Sequence, residues 1–458
     1  MGSERLRFTE KAGWGVGTLG SGAMIYLLNS FILFFLVQKL SIPAAVAGLL
    51  LFVTRFYDSF ADVTIGRLSD RTESRFGRRR VWMLAGALLS ACSTALVFSL
   101  RPQVSMPATA AIALLLLTTF YTGYTMFVVP SLAMPAEMTD DPAERSDLMS
   151  YRTFFVMASG LLGMSGGAWI VGTLGSGREA YAALGFIFAV IIGASMLTAV
   201  YATRRARRVA RSGTAVPVLA SLRAVWGNRP FILLCTSKFF LLTGTTFGGA
   251  VGLFFFKYIM QRDERSLGLF GLSSSLAALA AIPVWRLMMK HWPKKPLFAI
   301  SLLGHAAITA TWALATPHEP QFVFVSRACV LGAFSAGSLL LMLALLPETM
   351  EYDRLRGGEE RAGMLAGLFG FVEKSAYAVS PLVAGLLMSV AGLVAGDVPR
   401  SAQPDAAIAT IMICMSIIPA VLQGLALLTI WRYQLDAVSL QQLRSRTALV
   451  SAGAGTTC

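Results

Sequence analysis

Three ionisable residues share one apolar stretch of the sequence, at Arg55, Asp58 and Asp62. On a helix, about 100° of rotation per residue places Asp58 and Asp62 on one face, a turn apart, with Arg55 one turn earlier. Neighbouring carboxylates repel each other in a low-dielectric setting, so they need a bound cation, a proton or a basic partner. The spacing predicts a switchable cation site, and a permanent ion-pair network with Arg55 is the alternative.

A second apolar stretch carries Glu373 and Lys374 side by side. Adjacent residues of a helix point about 100° apart, so both cannot face one cavity centre. We expect Lys374 to point inward, where it could be the partner of the carboxylates, and Glu373 to point toward a neighbouring helix. For Lys238, in a third stretch, extension to a membrane surface and a buried position both remain open.

Hydroxyl groups and one arginine accompany these charges along the sequence. Tyr121, Tyr124 and Thr125 lie near the end of an apolar stretch, where their hydroxyls would reach a cavity. Arg152 begins the next stretch. It is either a residue that holds an anionic or hydroxylated ligand or an arginine at the membrane surface.

The stretches that position these residues are long and numerous. Hydrophobic residues make up 55% of the 458-residue chain and charged residues 14%, which disfavours a soluble enzyme. A bilayer crossing needs about 20 apolar residues. Twelve such stretches predict an all-α integral membrane protein; they are 12–38, 44–66, 81–100, 107–136, 152–175, 180–203, 230–256, 266–289, 296–316, 321–346, 363–392 and 406–432.

The net charge of +15 is unevenly placed. Basic residues cluster after even-numbered stretches, whereas odd-numbered ones are followed by little more than Lys39, Arg101 and Arg178. The positive-inside rule then predicts a multi-pass protein of the cell (inner or plasma) membrane with both termini cytoplasmic. Because the charge reports orientation, we expect the lipid bilayer, and no nucleic acid, as a partner. The clustered basic residues are Arg67, Arg71, Arg75, Arg78, Arg79, Arg80, Arg204, Arg205, Arg207, Arg208, Arg211, Arg223, Arg229, Lys290, Lys294 and Lys295.

A basic segment divides the twelve stretches six and six, and similar basic loops follow stretches two and eight. Two six-helix halves of this kind are typical of a large transporter class. The expected organisation is an N-terminal half with the cation site (1–203), a cytoplasmic linker (204–229), a C-terminal half (230–436) and a cytoplasmic tail (437–458).

Motifs for catalysis and for bound cofactors are lacking. The five cysteines are scattered, no CxxC pair occurs, and no phosphate-binding loop is present. We therefore expect neither an enzyme nor a bound cofactor. Asp58 and Asp62 are the expected metal ligands only if the coupling ion is Na⁺ rather than H⁺.

Three segments resemble the glycoside–pentoside–hexuronide:cation symporter family. They run from Arg55 to Arg80, from Pro130 to Arg152, and from Pro347 to Lys374. The resemblance implies a twelve-helix major facilitator fold. It also implies that Asp58, Asp62 and Thr125 bind the cation and that Lys374 faces that site. Arg152 matches a basic residue near the sugar.

Some positions depart from the pattern of the sugar-transporting members. Gly22 and Val128 stand where those members carry aspartates, and Leu132 where they carry a tryptophan. Ala61 replaces an amide between the two carboxylates, which favours protons because sodium needs several oxygen ligands. These changes leave the solute class open.

The leading hypothesis is a secondary active transporter that couples H⁺ or Na⁺ to a sugar, glycoside or related small organic solute. Arg55 would assist Lys374 in coupling, and Arg152, Tyr121 and Tyr124 would bind the solute. One alternative keeps the cation site and replaces the sugar with a lysolipid or other amphiphile. Another is a receptor or scaffold without transport. We expect no obligatory protein partner.

Overall fold

The computed structural model describes residues 6–139, 141–205, 227–317, 319–357 and 362–435. Most of the expected linker (206–226) and the expected tail (437–458) lie outside the described residues. So do four of the basic residues, Arg207, Arg208, Arg211 and Arg223, and the side chain of Arg205.

Within the described ranges, twelve helices are long and apolar enough to cross a membrane, which confirms the predicted number. The helices are α1 (Phe8–Ile32), α2 (Ala44–Arg71), α3 (Arg78–Ser99), α4 (Met106–Ala133), α5 (Ala143–Thr173), α6 (Arg178–Ala202), α7 (Arg229–Tyr258), α8 (Arg265–His291), α9 (Lys294–Leu314), α10 (Gln321–Arg356), α11 (Gly363–Val390) and α12 (Asp405–Trp431). Their bounds differ from the apolar stretches by several residues. Polar turns extend α2 and α10 beyond their apolar segments, whereas α1, α4 and α9 end before theirs do.

Local sequence explains several helix boundaries. The Ser105 side chain accepts the Ala108 amide at the start of α4, and Asn228 accepts the Phe231 amide at the start of α7. Gly77, at φ 101°, makes the turn between α2 and α3 in a conformation that favours glycine. Two π-helical turns, Leu28–Ile32 in α1 and Leu161–Gly166 in α5, interrupt the regular winding.

Helices α1–α6 and α7–α12 pack mainly among themselves. In the N-terminal half, α3 packs on α4 and α6, and α1 on α5 and α6. In the C-terminal half, α7 packs on α11 and α12, and α10 on α8 and α9. The two sets meet where α2 contacts α11, α5 contacts α8 and α1 contacts α7.

Close backbone packing joins α2 and α11 at one end, called here the closed end. A methyl group added to Gly48 would lie 2.6 Å from the Pro381 carbonyl oxygen. One added to Gly385 would lie 2.3 Å from the Ala44 carbonyl oxygen. Glycine at these two positions therefore lets the helix backbones touch.

The same face of α11 is free of neighbours toward the opposite end, called here the open end. Gly363, Gly367 and Gly370 follow the helical spacing that leads to Lys374, and a methyl group added to any of them would meet nothing within 4 Å. Because α2 and α11 touch at the closed end and separate beyond Lys374, the two halves diverge toward the open end.

Polar contacts across the halves reinforce the closed end. Asp397, in the loop after α11, accepts hydrogen bonds from Lys39 Nζ at 2.5 Å and from Lys257 Nζ at 2.6 Å. Gln38 Oε1 accepts from Lys257 and from the Tyr258 hydroxyl, both at 2.7 Å. Partial burial alone would raise the pKa of Asp397, but the two lysines outweigh it and hold that pKa below its ordinary value.

Candidate cation and solute site

The two carboxylates predicted from the sequence lie together at mid-depth, bridged by Lys374. Lys374 Nζ donates to Asp58 Oδ2 at 2.7 Å and to Asp62 Oδ2 at 2.5 Å. Asp58 and Asp62 thus share one face of α2, and Lys374 points at them from α11, as expected. The ammonium balances part of the repulsion between the carboxylates.

Exposure of the two carboxylates differs. The Asp58 side chain is 1% exposed and the Asp62 side chain 34%. Since α2 runs from the closed end toward the open end, Asp62 is the carboxylate nearer the opening. Thr125 donates from its hydroxyl to Asp58 Oδ1 at 2.6 Å. Residues of both α4 and α11 therefore hold Asp58 in place. Asp62 is the carboxylate that an ion from the open end would reach first.

Arg55 does not join the carboxylates in this conformation. Its Nη2 donates to the Asn29 amide oxygen at 2.9 Å. Its guanidinium lies 4.9 Å from the Tyr121 ring centre and 5.6 Å from the Tyr377 ring centre, within cation–π range. The alternative of a permanent network between Arg55 and the aspartates is therefore not formed, because Lys374 occupies that position.

The predicted solute residues separate into buried and accessible groups. Tyr121 is 1% exposed and packs on Arg55, so its hydroxyl does not face the open end here. Tyr124 and Arg152 are half-buried, and Tyr124 lies close enough to interact electrostatically with Asp58, Asp62 and Arg152. Arg152 forms no hydrogen bond or ion pair with another described residue, so its guanidinium can bind a ligand.

Glu373 and Lys238 form a second ion pair beside the first. Lys238 Nζ donates to Glu373 Oε2 at 2.9 Å and to the Phe369 carbonyl at 2.8 Å. Glu373 therefore turns toward α7, as the 100° argument predicted. The suggestion that Lys238 extends to a membrane surface is wrong, because its side chain is 1% exposed and fully bonded within the protein.

The structure adds two residues that the sequence argument missed. Asn29, the partner of Arg55, lies in the π-helical turn of α1. Tyr377 lies three residues after Lys374 and faces Arg55. Asn29 could have been found as a lone amide in an apolar helix. Tyr377 could have been found by its position about one turn after Lys374.

The close approach of Gly22 to Ser159 explains why this chain has no aspartate at the α1 position where sugar-transporting members of the resembling family carry one. A methyl group added at Gly22 would lie 2.0 Å from the Ser159 hydroxyl. Helices α1 and α5 are therefore too close at this point for an aspartate. Any carboxylate that binds a solute must come from elsewhere in the chain.

The described residues hold no cluster of three or more His, Cys, Asp and Glu side chains of the kind that binds a resident metal. They provide the carboxylates of Asp58 and Asp62, the Thr125 hydroxyl and the Lys374 ammonium. One positive charge, whether the Lys374 ammonium or a bound H⁺ or Na⁺, can partly neutralise such a pair of carboxylates.

Comparison with known proteins gives matches over nearly the full chain. Residues 13–437 match the family model described as MFS/sugar transport protein. The "Uncharacterized symporter YnaJ" of Bacillus subtilis (strain 168) is 27% identical over 438 residues, which cover 94% of this chain and 93% of that protein. The "Putative glycoside/cation symporter YagG" of Escherichia coli (strain K12) is 26% identical over 455 residues, which cover 97% and 96%.

Solved structures show the same architecture. The crystal structure of a D-xylose–proton symporter superposes with a TM-score of 0.69 at 15% sequence identity, covering 94% of this chain and 99% of that one. At this identity the likeness shows the fold alone. The predicted major facilitator fold is thereby confirmed.

Proposed function

The chain belongs to the MFS/sugar transport protein family, and on this premise we propose that it couples a cation gradient to the movement of a glycoside or related sugar. It is a multi-pass membrane transporter of the major facilitator type. The resemblance to glycoside–pentoside–hexuronide:cation symporters is confirmed by its relatives, one of which is named a putative glycoside/cation symporter. The coupling ion, the solute and the roles of single residues belong to the proposal.

The observation that carries the proposal is the position of Lys374 between Asp58 and Asp62. A cation that neutralises the carboxylates displaces the ammonium and weakens the link between α2 and α11. The halves can then rock around the mid-depth site. When the cation leaves, Lys374 returns to the carboxylates, so the empty carrier reorients with its own ammonium in place of the cation and does not leak cations.

The energetics of this cycle are sufficient for accumulation. One charge that crosses about 100 mV releases ~2.3 kcal/mol. At 1.4 kcal/mol for each tenfold ratio, this supports roughly fifty-fold accumulation of a neutral solute.

A proton suits the site better than sodium does. A proton needs one carboxylate oxygen, and Asp62 is accessible from the open end. Sodium needs several oxygen ligands, and Ala61, between the two aspartates in the sequence, offers none where the resemblance implies an amide. Sodium would use both aspartates and Thr125.

Basic residues give the orientation of the proposed transporter. Arg67 and Arg71 lie in the last turns of α2, Lys290 lies in the last turn of α8 and Lys294 begins α9, all at the open end. The positive-inside rule assigns this end to the cytoplasm. The structure would then be the inward-open conformation in a bacterial-type inner membrane, with both termini cytoplasmic.

A lysolipid is the second candidate solute. Leu132, at a position where sugar-transporting members carry a tryptophan, is 45% exposed on α4. An amphiphile would use this apolar surface, whereas a sugar would not. Competition between a lysophosphatidylcholine and a p-nitrophenyl glycoside for the purified protein distinguishes the two solutes.

Uptake into proteoliposomes tests the proposal as a whole. A panel of radiolabelled sugars is offered under an inward proton gradient, a sodium gradient or no gradient. The proposal expects one gradient to drive at least one sugar above its equilibrium level. Absence of gradient-driven uptake across the panel, with the protein folded and reconstituted, contradicts it.

A further inference from the structure

We infer that Glu373 is a solute-binding carboxylate of the C-terminal half and that Lys238 is the positioning residue that holds it. This inference rests on the proposed function and goes beyond it, because it assigns a group on α11 that accepts hydrogen bonds from the hydroxyls of the sugar. None of the solute residues expected from the sequence lies in this half of the chain.

Lys238 is fixed on all sides. Its side chain is 1% exposed, its Nζ donates to Glu373 and to the Phe369 carbonyl, and it lies 3.5 Å from the centre of the Phe369 ring. A buried ammonium with these contacts has little freedom to move. It therefore sets the position of the carboxylate that it binds.

Glu373 is the accessible member of this ion pair. Its side chain is 44% exposed although its partner is fully buried. Oε2 accepts the bond from Lys238, whereas Oε1 accepts no hydrogen bond from any residue that the structure describes. One oxygen is thus anchored and the other is free to accept from a ligand.

Glu373 borders the residue that bridges the cation site and, toward the open end, an unfilled space. Glu373 precedes Lys374 in the chain, and one turn toward the open end a methyl group added at Gly370 would meet nothing within 4 Å. Tyr377 lies close enough to interact electrostatically with both Glu373 and Tyr124. Tyr124 also lies close enough to Arg152 for an electrostatic interaction. Glu373 and Arg152 are thus linked, across the two halves, by the neighbouring side chains of Tyr377 and Tyr124.

Chemistry explains why a sugar would use this group. Hydroxyl groups donate charge-assisted hydrogen bonds to carboxylates, and these are stronger than bonds between neutral groups. Sugar-transporting members of the resembling family carry an aspartate on α1, at the position of Gly22. In this protein Ser159 leaves no room for a side chain at that position. Asp58 and Asp62 are engaged by Lys374 or by the cation. Glu373 is then the carboxylate left for the solute.

Binding of a panel of p-nitrophenyl glycosides to the purified full-length protein tests this assignment. The glycoside with the highest wild-type affinity is then titrated, by calorimetry, into Glu373→Gln. Loss of one charge-assisted bond predicts a rise in Kd of about ten- to hundred-fold. Glu348→Gln is the matched control, since Glu348 pairs with Lys294 at 2.6 Å away from this site. Its Kd should stay within twofold of wild type.

A second variant separates ligand binding from a structural role. Lys238→Met combined with Glu373→Met replaces the ion pair with apolar groups, which commonly preserves stability. If Glu373 binds the sugar, the double variant folds, keeps its response to the coupling cation and still binds the glycoside at least tenfold more weakly. A wild-type Kd in the double variant would overturn the inference.

The remaining outcomes are also decisive. If the wild type binds a glycoside and Glu373→Gln binds it equally well, the inference fails and the proposed function stands. If the wild type binds none of the panel, both fail.

Discussion

Lys374 Nζ lies 2.7 Å from Asp58 Oδ2, so a lysine of α11 neutralises an aspartate 316 residues away in the other half of the chain. The same ammonium reaches Asp62 on the next turn of α2. One side chain thus links the predicted cation site to the interface along which the halves move.

Removal of Lys374 should strengthen cation binding. In Lys374→Met the carboxylates lose their internal competitor, and the coupling cation neutralises a more negative site. We expect at least a tenfold lower cation concentration at half-maximal binding. Exchange of solute across the membrane should continue, while net efflux that requires an empty carrier slows. Titration of solute binding against pH and against sodium concentration measures the shift.

An unchanged titration in Lys374→Met would contradict this prediction. Lys290→Met is the control, because Lys290 ends α8 and forms no ion pair with a described residue. It should titrate like wild type.

Enlarging Gly385 should open the closed end. In Gly385→Ala the new methyl group meets the Ala44 carbonyl oxygen, which belongs to a helix backbone and cannot move aside alone. We expect the population to shift away from the present conformation. Electron-spin distances between labels at Leu174 and Val394, both exposed at the closed end, should lengthen.

Gly367→Ala provides the matched comparison on the same face of α11. Nothing lies within 4 Å of the added methyl group, so the spin–spin distance should match that of the unsubstituted protein. Equal distances in both variants would show that α2–α11 packing does not hold this end closed.

Asp397 should contribute to closure without sensing physiological pH. Its pKa lies below the ordinary value of 3.8, so the pairs with Lys39 and Lys257 are complete above that value. They weaken only as the pH falls through the lowered pKa. Asp397→Asn should therefore lengthen the Leu174–Val394 distance by a similar amount at pH 5 and pH 8. The Asp397 side chain is 54% exposed, so the effect should be modest, about 1 kcal/mol or less.

An effect of Asp397→Asn that grows between pH 5 and pH 8 would contradict the assignment of the lowered pKa.

Much of this architecture could be predicted from the sequence. Apolar length gave the twelve spans, and helical periodicity gave the shared face of Asp58 and Asp62 and the divergent directions of Glu373 and Lys374. These properties depend on the length and periodicity of a single helix and not on its neighbours. The position of Lys374 opposite the carboxylates came from the family resemblance and not from periodicity.

Contacts between distant helices could not be predicted in the same way. Arg55 was expected near the aspartates, yet it binds Asn29 because Lys374 already fills that position. Lys238 was left between two alternatives, since hydropathy does not say which helix lies beside it. The closed end depends on glycine-to-carbonyl contacts, and several glycines with the same spacing, such as Gly367, make none.

The most direct test of the account is cation coupling in Asp58→Asn. Wild-type protein and variant are reconstituted into proteoliposomes, and accumulation of a transported sugar is measured under imposed proton and sodium gradients. Asp405→Asn, an exposed aspartate at the start of α12, is the control. The account predicts that wild type and Asp405→Asn accumulate the sugar under one gradient, whereas Asp58→Asn exchanges it and accumulates none. Wild-type accumulation by Asp58→Asn would contradict the account.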